Sequence, residues 1–326
     1  MIKHKNAVIS CAVLFFMVLM CIDPVKVRSG TQNGIIISAN IIIPSLFCFM
    51  FFVSLFTKCI KRTNIITVWI LSSLGGYPIG AKIIEEMYKD GLITKRTANL
   101  MQCFCFNAGP AFIVLAVGSG IFGSRKTGVF LLASHLVSSL IIMCVLSCFT
   151  DKYKTEKINR IDDGLSVKII LSASDASSSV LSICGFVIIF SVISEFLQNS
   201  GYLVYFLEIS NSVTLMDNIY FISFLMGFGC ICVWIQVFSL SKECGISYPL
   251  FITSRIVHGA LSSILTYIFV KIFKIKTSVF SNIDNVLSFG NRCGIFLGLS
   301  VLLMLTVLIV EITDKKFSGN LKNDIV

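Results

Sequence analysis

A chain of 326 residues that is 56% hydrophobic and only 13% charged, with a mean hydropathy of +0.89, carries far more apolar surface than a soluble core of that length needs. The composition predicts one all-α polytopic membrane domain and excludes a separate soluble domain, because no polar stretch is long enough to bury its own core. The net charge of +10 lies in short loops at the ends of apolar runs, a pattern of membrane topology and anionic headgroups rather than of a nucleic-acid surface.

The N-terminal segment has a basic lead and an apolar run from Ala7 to Ile22. It resembles a signal peptide, but "DPVKVRSG" follows without a small-residue cleavage site, so the run is expected to stay as a first helix, with a loop to residue 33. Apolar runs then fall at 34–57, 64–76, 98–122, 128–149, 169–197, 218–241, 250–273 and 293–312.

Three of these runs are interrupted. From Asn64 the chain has about a dozen apolar residues before "GGYPIGAK", short of the ~20 that a straight helix needs to cross the hydrocarbon. Irregular backbone at membrane depth requires a wet cavity or a packed helix junction. Gly75 and Gly76 permit the turn, Pro78 suits a first helical position, and the new helix directs its free amides and partial positive charge at that cavity. Lys82 lies one turn on. The two readings are an anion-attracting site and a kink used for packing, with Lys82 snorkelling to the surface.

"CFNAGPAF" repeats the device at 105–112, with Asn107 ahead of Gly109 and Pro110. Asn107 either caps the new helix or donates to a substrate oxygen. A third break, "GFG", ends at Gly229, and one displacement lays Gly75 on Gly229, Lys82 on Gln236 and Gly91 on Gly245. Two pseudo-repeats follow, residues 34–150 and 169–313, around a charged loop at 151–168, with a polar tail at 314–326.

If the loop 150–168 is cytoplasmic, treating the broken segments as re-entrant hairpins places more Lys and Arg inside than treating them as spans. Each half then has an odd number of crossings, and the repeats are inverted. Within the second half Gln236 and Arg255 are polar residues in apolar runs. Arg255 can pair with an acidic substrate or with a protein carboxylate such as Glu195. His135 and His258 are expected to be hydrogen-bonded helix residues, Asp175 the polar start of its helix, and Glu85 and Glu86 solvated.

"GSGIFG" at 118–123 satisfies a dinucleotide-binding spacing but closes a hydrophobic helix, so it is a helix end. The 13 cysteines form no C-x-x-C pair and the three histidines are scattered, so no metal, cofactor or enzymatic chemistry is expected.

The segments "GGYPIGAKIIEEMYKDGLIT", "FCFNAGPAFIVLAVGSGIF" and "LLASHLV", with "GFGCICVWIQVF" and "ITSRIVHGAL", resemble the YlbJ-type sporulation integral membrane proteins, which group with nucleoside-recognition gate-domain proteins. Cys230, Trp234 and Ser254 depart from that pattern, where glycine, histidine and alanine are common. The resemblance implies kinship with concentrative nucleoside transporters and a role in spore formation. It implies export of dipicolinic acid from the mother cell across the outer forespore membrane. The expected substrate contacts are Gly75, Gly76, Tyr77, Pro78, Lys82, Asn107, Gly109, Pro110, Gly229, Gln236 and Arg255, with Tyr77 stacking on the dianion's ring. The expected partners are that small anion and the lipid bilayer, with no nucleic acid; a coupling ion and a homo-oligomer stay open. A nucleoside or nucleobase carrier and a non-transporting scaffold for spore assembly are the competing functions.

Overall fold

A computed structural model describes residues 2–59, 64–151, 164–197, 201–214 and 216–275. Expectations for residues 152–163, the apolar run at 293–312 and the tail at 314–326 lie outside these described residues.

The described chain is helical throughout. Helix α1 (Ile2–Ile22) is followed directly by α2 (Pro24–Ile37), a π-helical turn (Ser38–Ile42) and α3 (Ile43–Cys59). The expected loop before residue 33 is therefore helix. Asp23 caps α2 by accepting from Lys26 N at 3.1 Å, and Pro24 supplies the preset first-turn φ. Gly30 and Gly34 bring α2 against the backbone of α8 (Leu165–Leu197); a Cβ on either would lie 2.6 Å from the Cα of Val192 or Ile188. This close approach holds the segment as helix.

Next come two half-helices, α4 (Ile65–Gly75) and α5 (Ile79–Lys89). Each has 11 residues and so extends about 16 Å, roughly half the hydrocarbon thickness. Helix α6 (Lys95–Phe104) ends at a non-helical stretch, and a π-helix (Ala111–Ile121) resumes beyond it. Its last turn contains the first part of "GSGIFG", as a helix end. Side-chain caps start these elements: Asn64 for α4, Thr94 for α6 and Ser124 for α7 (Arg125–Ser147).

Helix α8 begins at Leu165, so Asp175 lies in its interior instead of at its start. A short 3-10 turn (Gly201–Phe206) and α9 (Ile209–Thr214) lead to α10 (Ile219–Phe228), α11 (Cys230–Leu240) and α12 (Tyr248–Phe273). Among the described residues, four segments are long and apolar enough to cross a membrane: α7, α8, α10 with α11, and α12.

Helix α8 packs between α2 and α3, while α7, α10 and α6 pack on α12. A helix–glycine–helix unit thus occurs twice, as α4–α5 and as α10–α11. The flanking elements differ: α6 breaks where α12 runs on unbroken.

Candidate functional site

The three breaks meet. Gly76, with φ +76°, ends α4 in a conformation open to glycine, and a Cβ there would stand 2.9 Å from the amide nitrogen of Gly109. A Cβ on Gly80 would lie 2.0 Å from the Cys105 carbonyl oxygen, and one on Gly229 would lie 2.2 Å from the Phe106 ring. Tyr77 Oη donates to the Met226 carbonyl at the end of α10. Its ring packs on Phe106 at 4.6 Å between centroids, so Tyr77 is engaged within the protein.

At such a break the last carbonyls of α6 have no intrahelical partner. Side chains from other elements supply the donors. Arg255, fully buried on α12, donates from Nη1 to the Phe106 carbonyl at 2.8 Å and from Nη2 to the Cys103 carbonyl. Its guanidinium also lies over the Phe106 and Phe251 rings, 4.7 and 5.5 Å from their centroids. Ser139 Oγ donates to the Phe104 carbonyl at 2.8 Å, and Trp69 Nε1 donates to that Ser139 at 2.8 Å.

Of the alternatives open to Arg255, the pairing with Glu195 is not formed. Glu195 instead accepts from Ser29 Oγ at 3.1 Å and Asn33 Nδ2 at 3.0 Å. The forked donor of Arg255 fits two carbonyls that a broken helix leaves open.

Asn107 turns its amide back to the Phe104 carbonyl at 3.0 Å and to Ser73 Oγ at 3.1 Å, so it ties α4 to the end of α6 and does not cap the helix that follows. Pro110 occupies that following start. The histidines are hydrogen-bonded as expected: His135 Nε2 accepts from Ala108 N at 3.0 Å, and the ring of His258 meets the His135 carbonyl at 3.0 Å. Pro78 precedes α5 as its cap residue, one position earlier than expected, and Gly75 is the last residue of α4.

Lys82 lies apart from this junction. On the first turn of α5 it points towards α8, with Nζ 3.3 Å from Asp175 Oδ1. Lys58 from α3 engages the other Asp175 oxygen, and Ser54 Oγ donates to that oxygen at 3.1 Å. Two lysines from two helices thus converge on one carboxylate in an apolar seam. Pro78, Lys82, Glu86 and Asp175 line a cavity of about 20 Å³ there.

A second cavity, of about 50 Å³, touches the first two breaks through Tyr77 and Gly109 and α11 through Val233 and Gln236. Glu208, 2% exposed, forms part of its wall and accepts from Ser210 N at 2.9 Å. Gln236, expected to match Lys82, faces this second cavity, whereas Lys82 faces the first.

Glu85 is buried, contrary to the solvated placement expected for it. It accepts from Glu243 N at 2.9 Å and Cys244 N at 3.1 Å and so closes the α11–α12 connection. Burial alone would raise its pKa; the two backbone donors and Lys89 outweigh burial and hold the carboxyl below the usual carboxylate range. Sequence reasoning also missed Lys58 and Glu208. For Asp175 a signal existed, a carboxylate in the interior of a long apolar run; Glu208 sits in a polar connection and carried none.

Neither a known family profile nor a solved structure matches the chain. It is similar to the sporulation integral membrane protein YlbJ of Bacillus subtilis (strain 168), with 22% identity over 243 residues, covering 58% of this chain and 60% of that protein. The chain thus spans about 60% of the length of the curated relative it matches. This similarity supports the resemblance drawn from the motifs, and with the apolar helices it supports an integral membrane protein.

Proposed function

We propose that this chain is a secondary transporter that moves a small organic anion along the seam between α3, α8 and the half-helices α5 and α11. In this reading the substrate is dipicolinate, leaving the mother cell across the outer forespore membrane, and the units α4–α5 and α10–α11 are an inverted pair. The chemistry is transport and not catalysis.

The observation that carries the reading is the convergence of Lys58 and Lys82 on Asp175 beside the start of a half-helix. Charges inside a membrane protein are costly and are retained for function. At rest Asp175 pairs with both lysines, and Lys82 and Asp175 line the cavity together with Glu86. A dicarboxylate can take the place of Asp175 and give each lysine one carboxylate, keeping both cations paired during passage. The junction at Arg255 acts as the fixed frame against which the seam opens.

The test is the dipicolinate content of spores from a deletion strain complemented with wild type or with Lys82→Ala at equal membrane abundance. Wild type is expected to restore it and Lys82→Ala to fail; equal restoration by both removes the lysine cluster from the transport path.

A nucleoside carrier is the second reading, favoured by the cavity that Glu208, Gln236 and Tyr77 line, since carboxylate and amide groups suit hydroxyls and bases. Competition of flux by uridine and not by dipicolinate selects it.

A further inference from the structure

Helices α7 and α12 lie side by side, and aromatic contacts fix their relative direction. The Phe130 ring, on the second turn of α7, packs on Phe273 and Phe269 in the last turns of α12, with centroids 4.7 and 6.1 Å apart. The start of α7 therefore stands beside the end of α12. Tyr220, in the first turn of α10, reaches the same end, its ring 5.8 Å from that of Tyr267.

Four basic residues collect there: Arg125 and Lys126 open α7, Lys271 lies in the last turn of α12, and Lys274 follows that helix. All four are exposed. Lys126 is four positions ahead of Phe130 and so shares its face of α7. Lys271 Nζ lies over the Tyr267 ring, 4.6 Å from its centroid. Asp217, one residue ahead of the α10 cap Asn218, is brought to the same end, and among the described residues no carboxylate forms an ion pair with any of the four.

Two features set this cluster apart from an ordinary solvated face. It lies at the opposite end of α7 from the loop at 151–168, so with that loop cytoplasmic the four cations stand on the outer side, where Lys and Arg are disfavoured. Beneath the cations the surface is apolar and open: Tyr267, Ile268, Ile272 and Phe273 are between 40% and 65% exposed. A soluble anion has use for the cations alone. Cations above tyrosine rings and an apolar face match a phosphate headgroup carried on acyl chains.

We propose that the joined ends of α7 and α12 bind an anionic phospholipid. Its phosphate takes Lys126 and Lys274, with Arg125 and Lys271 flanking, and its acyl chains lie against the Phe130, Phe269 and Phe273 rings. Bound across both helices, the lipid braces the frame to which His135 and Arg255 belong. The site is independent of the transport reading and stands with any substrate.

The experiment uses the full chain purified in detergent, with phosphatidylglycerol and phosphatidylcholine of the same acyl chains as probes. Native mass spectrometry counts the retained lipid, and thermal unfolding reads the stabilisation. Wild type is expected to retain phosphatidylglycerol about tenfold over phosphatidylcholine. Lys126→Gln with Lys274→Gln is expected to weaken that binding about twentyfold, at roughly fivefold for each surface cation, with no change in melting temperature without lipid. Lys126→Arg with Lys274→Arg keeps both charges and is expected to bind as wild type does. The control is Lys95→Gln with Arg96→Gln, exposed residues at the start of α6, whose cap Thr94 bonds Asp151 beyond the far end of α7. It is expected to keep the lipid preference. Equal retention of the two lipids by wild type overturns the proposal, as does an unchanged preference in the glutamine pair or an equal loss in the arginine pair. A control that loses as much as the glutamine pair reduces the effect to net charge and also overturns it. Inorganic phosphate that stabilises wild type as much as phosphatidylglycerol makes the cluster a soluble-anion site, and the lipid site falls.

Discussion

Arg255 donates to the carbonyl of Phe106 across 149 positions of sequence, so its guanidinium closes the end of a helix broken far away in the chain. A charge buried in a membrane protein is ordinarily taken as a sign of substrate. Here the bare carbonyls of a broken helix are themselves anion-like acceptors, and the guanidinium answers them.

Arg255→Gln is accordingly expected to destabilise the protein by about 3 kcal/mol or more, because two buried carbonyls lose a charged donor. Arg255→Lys recovers part of this, since one ammonium cannot reproduce the fork. Thermal unfolding in detergent, with membrane abundance, checks both. A variant as stable as wild type that has lost only flux returns Arg255 to the substrate.

Gly80→Ala is expected to cost about 2 kcal/mol or more, since its Cβ would meet the Cys105 carbonyl oxygen at 2.0 Å and backbone must move. Gly91→Ala is the control: it has open space but a φ of +69°, so only about 1 kcal/mol is at stake. Melting temperatures should rank Gly80→Ala well below Gly91→Ala.

Lys82 and Asp175 are expected to be energetically coupled, with a double-mutant cycle in stability yielding about 1 kcal/mol for Lys82→Ala and Asp175→Asn. Additive effects would mean that the pair contributes nothing beyond its separate members. Asp175→Asn alone leaves Lys58 and Lys82 facing one another and should be the more damaging single change.

Glu85 predicts an acid limit to stability. Its folded-state pKa lies below the unfolded value of about 4.3, so its contribution is fully present above that value and fades as pH falls through the folded one. Glu85→Gln is expected to be less stable at neutral pH and to show a flatter stability profile between pH ~5 and ~3. Melting curves over that range decide it; parallel profiles would show that other carboxylates set the acid limit.

The broken helices were legible because their cause is local. Glycine and proline interrupt a helix through their own backbone, so the positions of Gly76, Pro110 and Gly229 announce the breaks whatever lies around them. Cys230 is instructive in the same way: it stands where glycine is common among the sequences it resembles, and its φ of +53° shows why. The loop expected before residue 33 was misjudged because Gly30 and Gly34 weaken a helix in isolation. Packed against α8, the same two glycines let the helices touch.

What the sequence by itself determined is the membrane-embedded helical class, the order of the apolar elements and the places where they break, since length, hydropathy and backbone freedom belong to each segment alone. Only the tertiary structure decided what the polar residues do. Lys58 and Asp175 lie 117 positions apart, and Arg255 meets carbonyls at and just beyond the end of α6. A charged side chain in an apolar surrounding takes whichever partner the packing of other helices brings within about 3 Å, and no local pattern encodes that partner.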